Sequence, residues 1–190
     1  NDLWLNESFA TFMATKAVDQ FYPEWELWDQ FLKTSMNEAM SLDALQSSHP
    51  IEVEVMSPAE VREIFDDISY DKGGSVLRML ENFVGDENFR KGLSSYLRKH
   101  MYGNATTNDL WDALGLAAQK PVCRVMDTWV RQMGYPVVEI TTSNGHYIIR
   151  QRRFLLENGA SGDGQWLIPV RAATSKGSVP LLLEQEKAEL

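Results

Sequence analysis

The 190-residue sequence predicts an α+β protein in which a helical part, about residues 1–134, precedes a β part, about residues 135–190. Apolar residues recur at helical spacing through the first part. After Tyr135, β-branched and aromatic residues alternate with polar ones, and stretches such as "SNG" and "ENGASGDG" supply turns. Because helices come first and strands second, we expect two separate domains.

The helices follow one another with recognisable interruptions. The first is expected over residues 1–22, and Pro23 begins a second that continues through "EWELWDQFLKTSMNEAMSLDAL". "HPIEVEV" breaks the pattern, because a proline after His49 favours extended backbone and the alternation suggests a short strand or an extended loop. Gly134 is expected to cap the last helix in the left-handed conformation. The remaining helices are predicted from "SPAEVREIF", "SYDKGGSVLRMLENFV", "GDENFRKGLSSYLRKHM", "TTNDLWDALGLAAQ" and "PVCRVMDTWVRQMG".

Three strands are predicted in the β part from period-two alternation. They are "PVVEITT", "HYIIRQRRFLL" and "GQWLIPVRA".

Composition narrows the classes of function. The formal net charge is −9 and no run of Lys and Arg interleaves with aromatic residues, so a nucleic-acid partner is not expected. The single cysteine, Cys123, excludes an internal disulfide framework and is consistent with a cytoplasmic compartment. No apolar run approaches the roughly 18 residues of a membrane span, and no signal peptide is visible. The chain opens with Asn1 inside a helical pattern, and we expect it to be a piece of a longer protein.

Glu7 is the unusual residue of the first helix, because it lies within an apolar stripe. Leu3, Ala10, Ala14 and Phe21 share that stripe, and a second stripe comprises Leu5, Phe9, Phe12 and Met13. A helix that is apolar on two sides is expected to be mostly buried. A buried carboxylate needs a cationic side chain, a proton or a metal ion, and the pattern alone leaves these alternatives open, with a structural ion pair favoured.

Four stretches resemble, in this order, zinc aminopeptidases of the aminopeptidase N type, which belong to the gluzincin metallopeptidases. They are "NDLWLNESFATFM", "HPIEVEV", "ISYDKGGSVLRML" and "VMDTWVRQMGYPVVEI". Within the family the resemblance is greatest to the tricorn-interacting aminopeptidases, and it extends to about residue 170. It implies the helical C-terminal half of a thermolysin-like catalytic domain, followed by the start of a β-sandwich domain.

The resemblance implies roles for two residues. Glu7 matches the zinc-binding glutamate of the family's "LNE" motif. Tyr70 matches the tyrosine whose hydroxyl donates a hydrogen bond to the oxyanion of the tetrahedral intermediate. Gly73 and Gly74 follow it, and each costs a helix about 1 kcal/mol relative to Ala. We therefore expect another group to approach the backbone closely there.

The other metal ligands of the family are not in this sequence. Its two histidine ligands and general-base glutamate lie on a His-Glu-x-x-His helix upstream of the third ligand, hence before Asn1. The histidines of this chain are isolated, and we expect His49 to be a turn residue, His100 a solvated helix end and His146 a strand residue. Zn²⁺ is therefore expected only in the full-length protein, and the isolated chain is expected to be inactive.

We interpret the chain as a fragment of a zinc-dependent aminopeptidase that acts on peptides with a free N-terminus. The alternative is a non-catalytic relative that keeps the fold as a scaffold or binding module. The presence of both Glu7 and Tyr70 argues against that alternative. A helical interaction domain without a site is favoured least, because four motifs occur in order.

Overall fold

The computed structural model describes residues 2–55, 65–143, 146–157, 160, 162–174 and 177–189. Across these residues helices come first and strands second, so the predicted α+β class is confirmed. None of the helices in this part of the chain combines the length and apolarity needed to cross a membrane.

Seven α-helices are described: α1 (Leu3–Phe21), α2 (Leu27–Lys33), α3 (Ser35–Asp43), α4 (Gly73–Val84), α5 (Asp86–Lys99), α6 (Thr107–Ala118) and α7 (Val122–Val130). A π-helical turn, Ile68–Lys72, leads directly into α4.

Some predicted boundaries were wrong. The predicted second helix is a 3₁₀ turn, Pro23–Trp25, followed by α2 and α3, because Glu26 takes φ +50° and Thr34 has non-helical backbone angles. Residues 51–55 form no strand, which leaves the extended-loop alternative. The helix predicted from "SPAEVREIF" falls on residues 57–65, nearly all outside the described residues. Gly134 has φ +83° but lies beyond the end of α7, so it shapes the connection to the strands and does not cap the helix.

The strands form two small antiparallel sheets. They are β1 (Pro136–Ser143), β2 (His146–Arg153), β3 (Ile168–Thr174), β4 (Gly177–Leu183) and β5 (Lys187–Glu189). One sheet has the order β1-β2-β5, and the other is the β3-β4 hairpin. The three predicted strands are present, but β2 ends at Arg153, before the end of "HYIIRQRRFLL", and β3 begins only at Ile168, within "GQWLIPVRA". Strands β4 and β5 were not predicted. The sequence of β4 is not typical of a strand because it contains Pro180, which has no backbone N–H to donate to the neighbouring strand.

The main hydrophobic core lies between α1, α4, α5, α6 and α7. Its most deeply buried side chains include Phe12, Leu77, Leu80, Leu110, Trp111, Leu114, Val125, Met126 and Val130. Helix α7 also contacts the β part, where the Trp129 indole donates a hydrogen bond of 2.9 Å to the Leu167 carbonyl. This core fixes α1 against α4, the helix that begins directly after the π-helical turn.

Helix α1 buries one side, not two. Its buried residues are Trp4, Leu5, Ser8 and Phe12. In the stripe that contains Glu7, by contrast, Ala10 and Ala14 are exposed and Phe21 is 78% exposed. The prediction of a mostly buried helix was therefore wrong for the described residues. The reason is that α1 packs on α4 and on the π-helical turn with the opposite side.

Candidate active site

The two residues singled out in the sequence meet in the structure. Glu7 lies in the second turn of α1 and is half-buried, and Tyr70 lies in the π-helical turn before α4. Burial raises the pKa of the Tyr70 hydroxyl, and a hydrogen bond to the Glu7 carboxylate and its negative charge raise this pKa further. The phenol therefore keeps its proton at neutral pH and is available as a donor.

A glycine–serine contact allows α1 to approach the turn. Ser8 is fully buried, and its hydroxyl donates a hydrogen bond of 2.6 Å to the Ser69 carbonyl. A Cβ atom on Gly73 would lie only 1.9 Å from Ser8 Oγ, and one on Gly74 would lie 3.3 Å from Thr11 Cγ2. The expectation that another group approaches these glycines closely is confirmed, and that group is α1 itself.

The start of the turn is held by Asp66. Its Oδ1 atom accepts hydrogen bonds of 3.1 Å from the backbone N–H groups of both Ile68 and Ser69. Its Oδ2 atom lies 2.8 Å from His49 Nε2, and His49 Nδ1 lies 2.7 Å from the Pro50 carbonyl. His49 is thus more than the turn residue that we predicted, because it braces the segment that carries Tyr70.

The far side of the turn is held by a buried ion pair. Lys72 Nζ lies 2.8 Å from Asp43 Oδ2, and the two side chains are only 8% and 1% exposed. Lys72 also donates a hydrogen bond of 3.1 Å to the Gly134 carbonyl. Burial lowers the pKa of Lys72, while the Asp43 carboxylate acts in the opposite direction. The π-helical turn is therefore fixed to α3 as well as to α1.

Lys72 and Asp43 were not predicted from the sequence as site residues, although a signal for Lys72 was present. Lys72 stands one helical turn from Ile68 and from Val76, and both of these are buried. A lysine on such a stripe requires an anionic partner, by the argument that was applied to Glu7.

The two remaining histidines have carboxylate partners other than Glu7. His100 ends α5 with its Nε2 atom 3.5 Å from Asp109 Oδ1, and its side chain is 17% exposed, less solvated than predicted. His146 begins β2, as predicted, and its Nδ1 atom lies 2.7 Å from Glu189 Oε1. Within the described residues no group of three or more His, Cys, Asp or Glu side chains is placed to hold a metal ion.

Glu7 itself fits the role of one metal ligand. It is a half-buried carboxylate whose neighbour is a neutral phenol, and no ion pair within the described part of the chain involves it. A carboxylate in such a place is an oxygen donor of the kind that zinc accepts. Since protein zinc sites use three or four protein ligands, the others would have to come from outside the described residues.

Comparison with known proteins identifies the family. The profile of the peptidase family M1 domain matches residues 1–129. The chain is 48% identical over 186 residues to tricorn protease-interacting factor F2 of Thermoplasma volcanium, covering 98% of this chain and 24% of that protein. It is 50% identical over 168 residues to aminopeptidase M1 of Arabidopsis thaliana, covering 88% of this chain and 19% of that protein. It is 49% identical over 154 residues to mitochondrial aminopeptidase 2 of Saccharomyces cerevisiae, covering 80% and 16%. The chain thus spans about a quarter or less of these relatives, and it belongs to peptidase family M1.

Proposed function

We propose that the protein containing this chain is a zinc-dependent aminopeptidase that removes the N-terminal residue from peptides. The observation that carries the proposal is the pairing of the Glu7 carboxylate with the Tyr70 hydroxyl, in a chain that belongs to peptidase family M1. Relatives from Arabidopsis thaliana and Saccharomyces cerevisiae are named aminopeptidases. We further propose that residues 1–134 are the helical part of the catalytic domain and residues 135–190 a partial β-sandwich domain.

Glu7 is the proposed zinc ligand in this chain. Zinc, when bound, polarises a carbonyl group and makes a bound water a stronger nucleophile at neutral pH. The buried residues Trp4, Leu5 and Ser8 anchor α1 in the protein. The helix therefore holds the backbone of Glu7 in a fixed position. The remaining ligands, two histidines by family resemblance, are expected upstream.

Tyr70 is the proposed donor to the oxyanion. Burial and the Glu7 carboxylate both raise the pKa of Tyr70, so the hydroxyl is protonated at neutral pH and has a hydrogen to donate. As negative charge develops on the substrate carbonyl oxygen, the same hydroxyl is positioned to donate to that oxygen. Loss of one such donor typically lowers kcat by about 10²–10³-fold.

The substrates are proposed to be peptides with a free N-terminus. Two relatives from Thermoplasma species are named as factors that interact with tricorn protease. Those names support a place after a protease that releases peptides, so that products of that cleavage are the substrates here.

Two substitutions in the full-length protein test the proposal. Glu7→Gln should lose zinc and activity together, since the amide has no negative charge to offer the metal. Tyr70→Phe should keep zinc and roughly the parent KM while kcat falls about 10²–10³-fold. The measurements are metal analysis after dialysis and steady-state kinetics with an aminoacyl p-nitroanilide.

Each result has a defined contrary outcome. Stoichiometric zinc in Glu7→Gln would show that Glu7 is not a ligand. A fall of less than about tenfold in Tyr70→Phe would remove Tyr70 from the mechanism. A parent protein that binds no zinc and cleaves no substrate would instead support the non-catalytic alternative.

A further inference from the structure

The Asp43–Lys72 ion pair lies on the side of the π-helical turn away from Tyr70. Residues two apart in a helix do not share a face, so the Tyr70 side chain reaches Glu7 while the Lys72 side chain enters the protein. Rotation of the turn about its axis would move both side chains at once. Whatever fixes Lys72 therefore also fixes the direction of Tyr70.

The pair is tied to more than α3. Asp43 Oδ1 accepts a hydrogen bond of 2.8 Å from the Gly134 N–H and one of 2.5 Å from the Ser48 hydroxyl. Lys72 donates to the carbonyl of the same Gly134. Both backbone polar groups of Gly134 are thus used, at the connection between α7 and β1. The turn with Tyr70 is anchored to the junction between the helices and the strands.

Stability alone does not account for such an arrangement. Removing two charges from water is costly, and apolar residues of similar volume in place of a buried ion pair are often neutral or stabilising. An apolar pair would fill the same space but would not specify one rotation of the turn. The ion pair does specify it, because both Lys72 contacts, to Asp43 and to Gly134, have defined directions.

We propose that Lys72 is a positioning residue for catalysis: its contacts with Asp43 and Gly134 hold the π-helical turn in the orientation that brings the Tyr70 hydroxyl to the carboxylate of Glu7. This proposal rests on the proposed function, in which Tyr70 donates to the oxyanion. It assigns Lys72 no contact with substrate. Its effect on the rate passes through Tyr70.

A double-mutant cycle in the full-length protein tests the proposal. The variants are Lys72→Met, Tyr70→Phe and the two combined, assayed with an aminoacyl p-nitroanilide well below their melting temperatures and with zinc content measured. In the parent background, Lys72→Met should lower kcat by about 10–100-fold, because a misplacement of about 1 Å can cost about 10²-fold. KM should change little, since the hydroxyl acts in the transition state. In the Tyr70→Phe background the same substitution should change kcat less than about twofold, since the group that it positions is already absent.

The matched control is Lys16→Met. Lys16 forms an ion pair of 2.6 Å with the largely buried Glu81 and so joins α1 to α4, but it does not contact the turn. Its loss should leave kcat within about twofold of the parent in both backgrounds. If Lys72→Met does not fold because Asp43 is left unpaired, Asp43→Asn/Lys72→Met takes its place in the cycle with the same expectations.

The outcomes separate this proposal from the proposed function. If Tyr70→Phe alone retains kcat, the role of Tyr70 is wrong and the positioning role falls with it. If Tyr70→Phe is impaired but the Lys72 substitution has no effect, or lowers kcat by the same factor in both backgrounds, only the positioning role is overturned. A loss of kcat confined to the background that retains Tyr70 supports it.

Discussion

Replacing Gly73 with alanine tests whether a close backbone contact holds Glu7 and Tyr70 together. The added Cβ atom would lie 1.9 Å from Ser8 Oγ and 2.7 Å from Ser8 Cβ. Ser8 is fully buried and donates to the Ser69 carbonyl, so its hydroxyl cannot move without loss of that bond. Overpacking costs about 1–3 kcal/mol, the lost hydrogen bond costs about 1 kcal/mol, and better helix propensity returns about 1 kcal/mol. We therefore expect Gly73→Ala to be destabilised by about 1–3 kcal/mol.

A compensating substitution makes this reasoning falsifiable. In Ser8→Gly/Gly73→Ala the clashing atoms are gone, and the next neighbour of the new Cβ is Trp4 Cε3 at 3.7 Å, an ordinary contact. The double variant should be at least about 1 kcal/mol more stable than the sum of the single effects. Gly74→Ala is the control, expected to be nearly neutral because the tight contact of its Cβ with Thr11 Cγ2, at 3.3 Å, is offset by about 1 kcal/mol of better helix propensity. The assay is urea denaturation of the purified protein. A Gly73→Ala variant as stable as the parent, or additive effects in the double variant, would refute the argument.

The other predictions concern more distant features. Thr106→Ala removes the capping box of α6 and should lower the free energy of unfolding by about 1 kcal/mol, whereas Thr106→Ser should not. Gly134→Ala should be destabilised by about 1–2 kcal/mol or more, because φ is +83° and the new Cβ would lie 2.4 Å from Arg153 Nε; a parent-like urea midpoint would contradict this. The hydrogen bond from Arg90 lowers the pKa of Glu87 to about 2, so its stabilisation is present above the ordinary value of 4.5 and is lost as pH falls towards 2. NMR titration of Glu87 should give that midpoint, and a midpoint near 4.5 would contradict it.

Most of the helices and strands could be predicted from local patterns in the sequence. The helices α1, α4, α5 and α6 were predicted from apolar spacing. The capping residue Thr106 lies directly before α6, within the predicted stretch "TTNDLWDALGLAAQ". The sharp change of pattern after Tyr135 located the strands. Such features depend on residues within one or two turns of each other, so a single sequence shows them.

Contacts between distant parts of the chain could not be predicted in the same way. The sequence predicted a buried Glu7 in need of a partner, whereas the structure shows a half-buried Glu7 beside a neutral phenol. It marked Gly73 as a point of close approach without showing that Ser8 fills the space. The partner of Lys72 is Asp43, at the end of a helix whose start was itself not predicted. A pattern reports that a side chain faces inward, whereas the identity of its neighbour depends on how the helices pack.

The π-helical turn that carries Tyr70 is held by contacts on several sides. A π-helical turn is rare and is frequently found at functional sites. Here the turn is held by Ser8 from α1, by Asp66 at its own start and by the Lys72 ion pair on its inner side. None of these three contacts uses the Tyr70 hydroxyl, which is left to Glu7. Substitutions at the three contacts should therefore change the direction of the Tyr70 hydroxyl while leaving its neighbour Glu7 in place. Under the proposed mechanism, such a change of direction lowers kcat more than it raises KM.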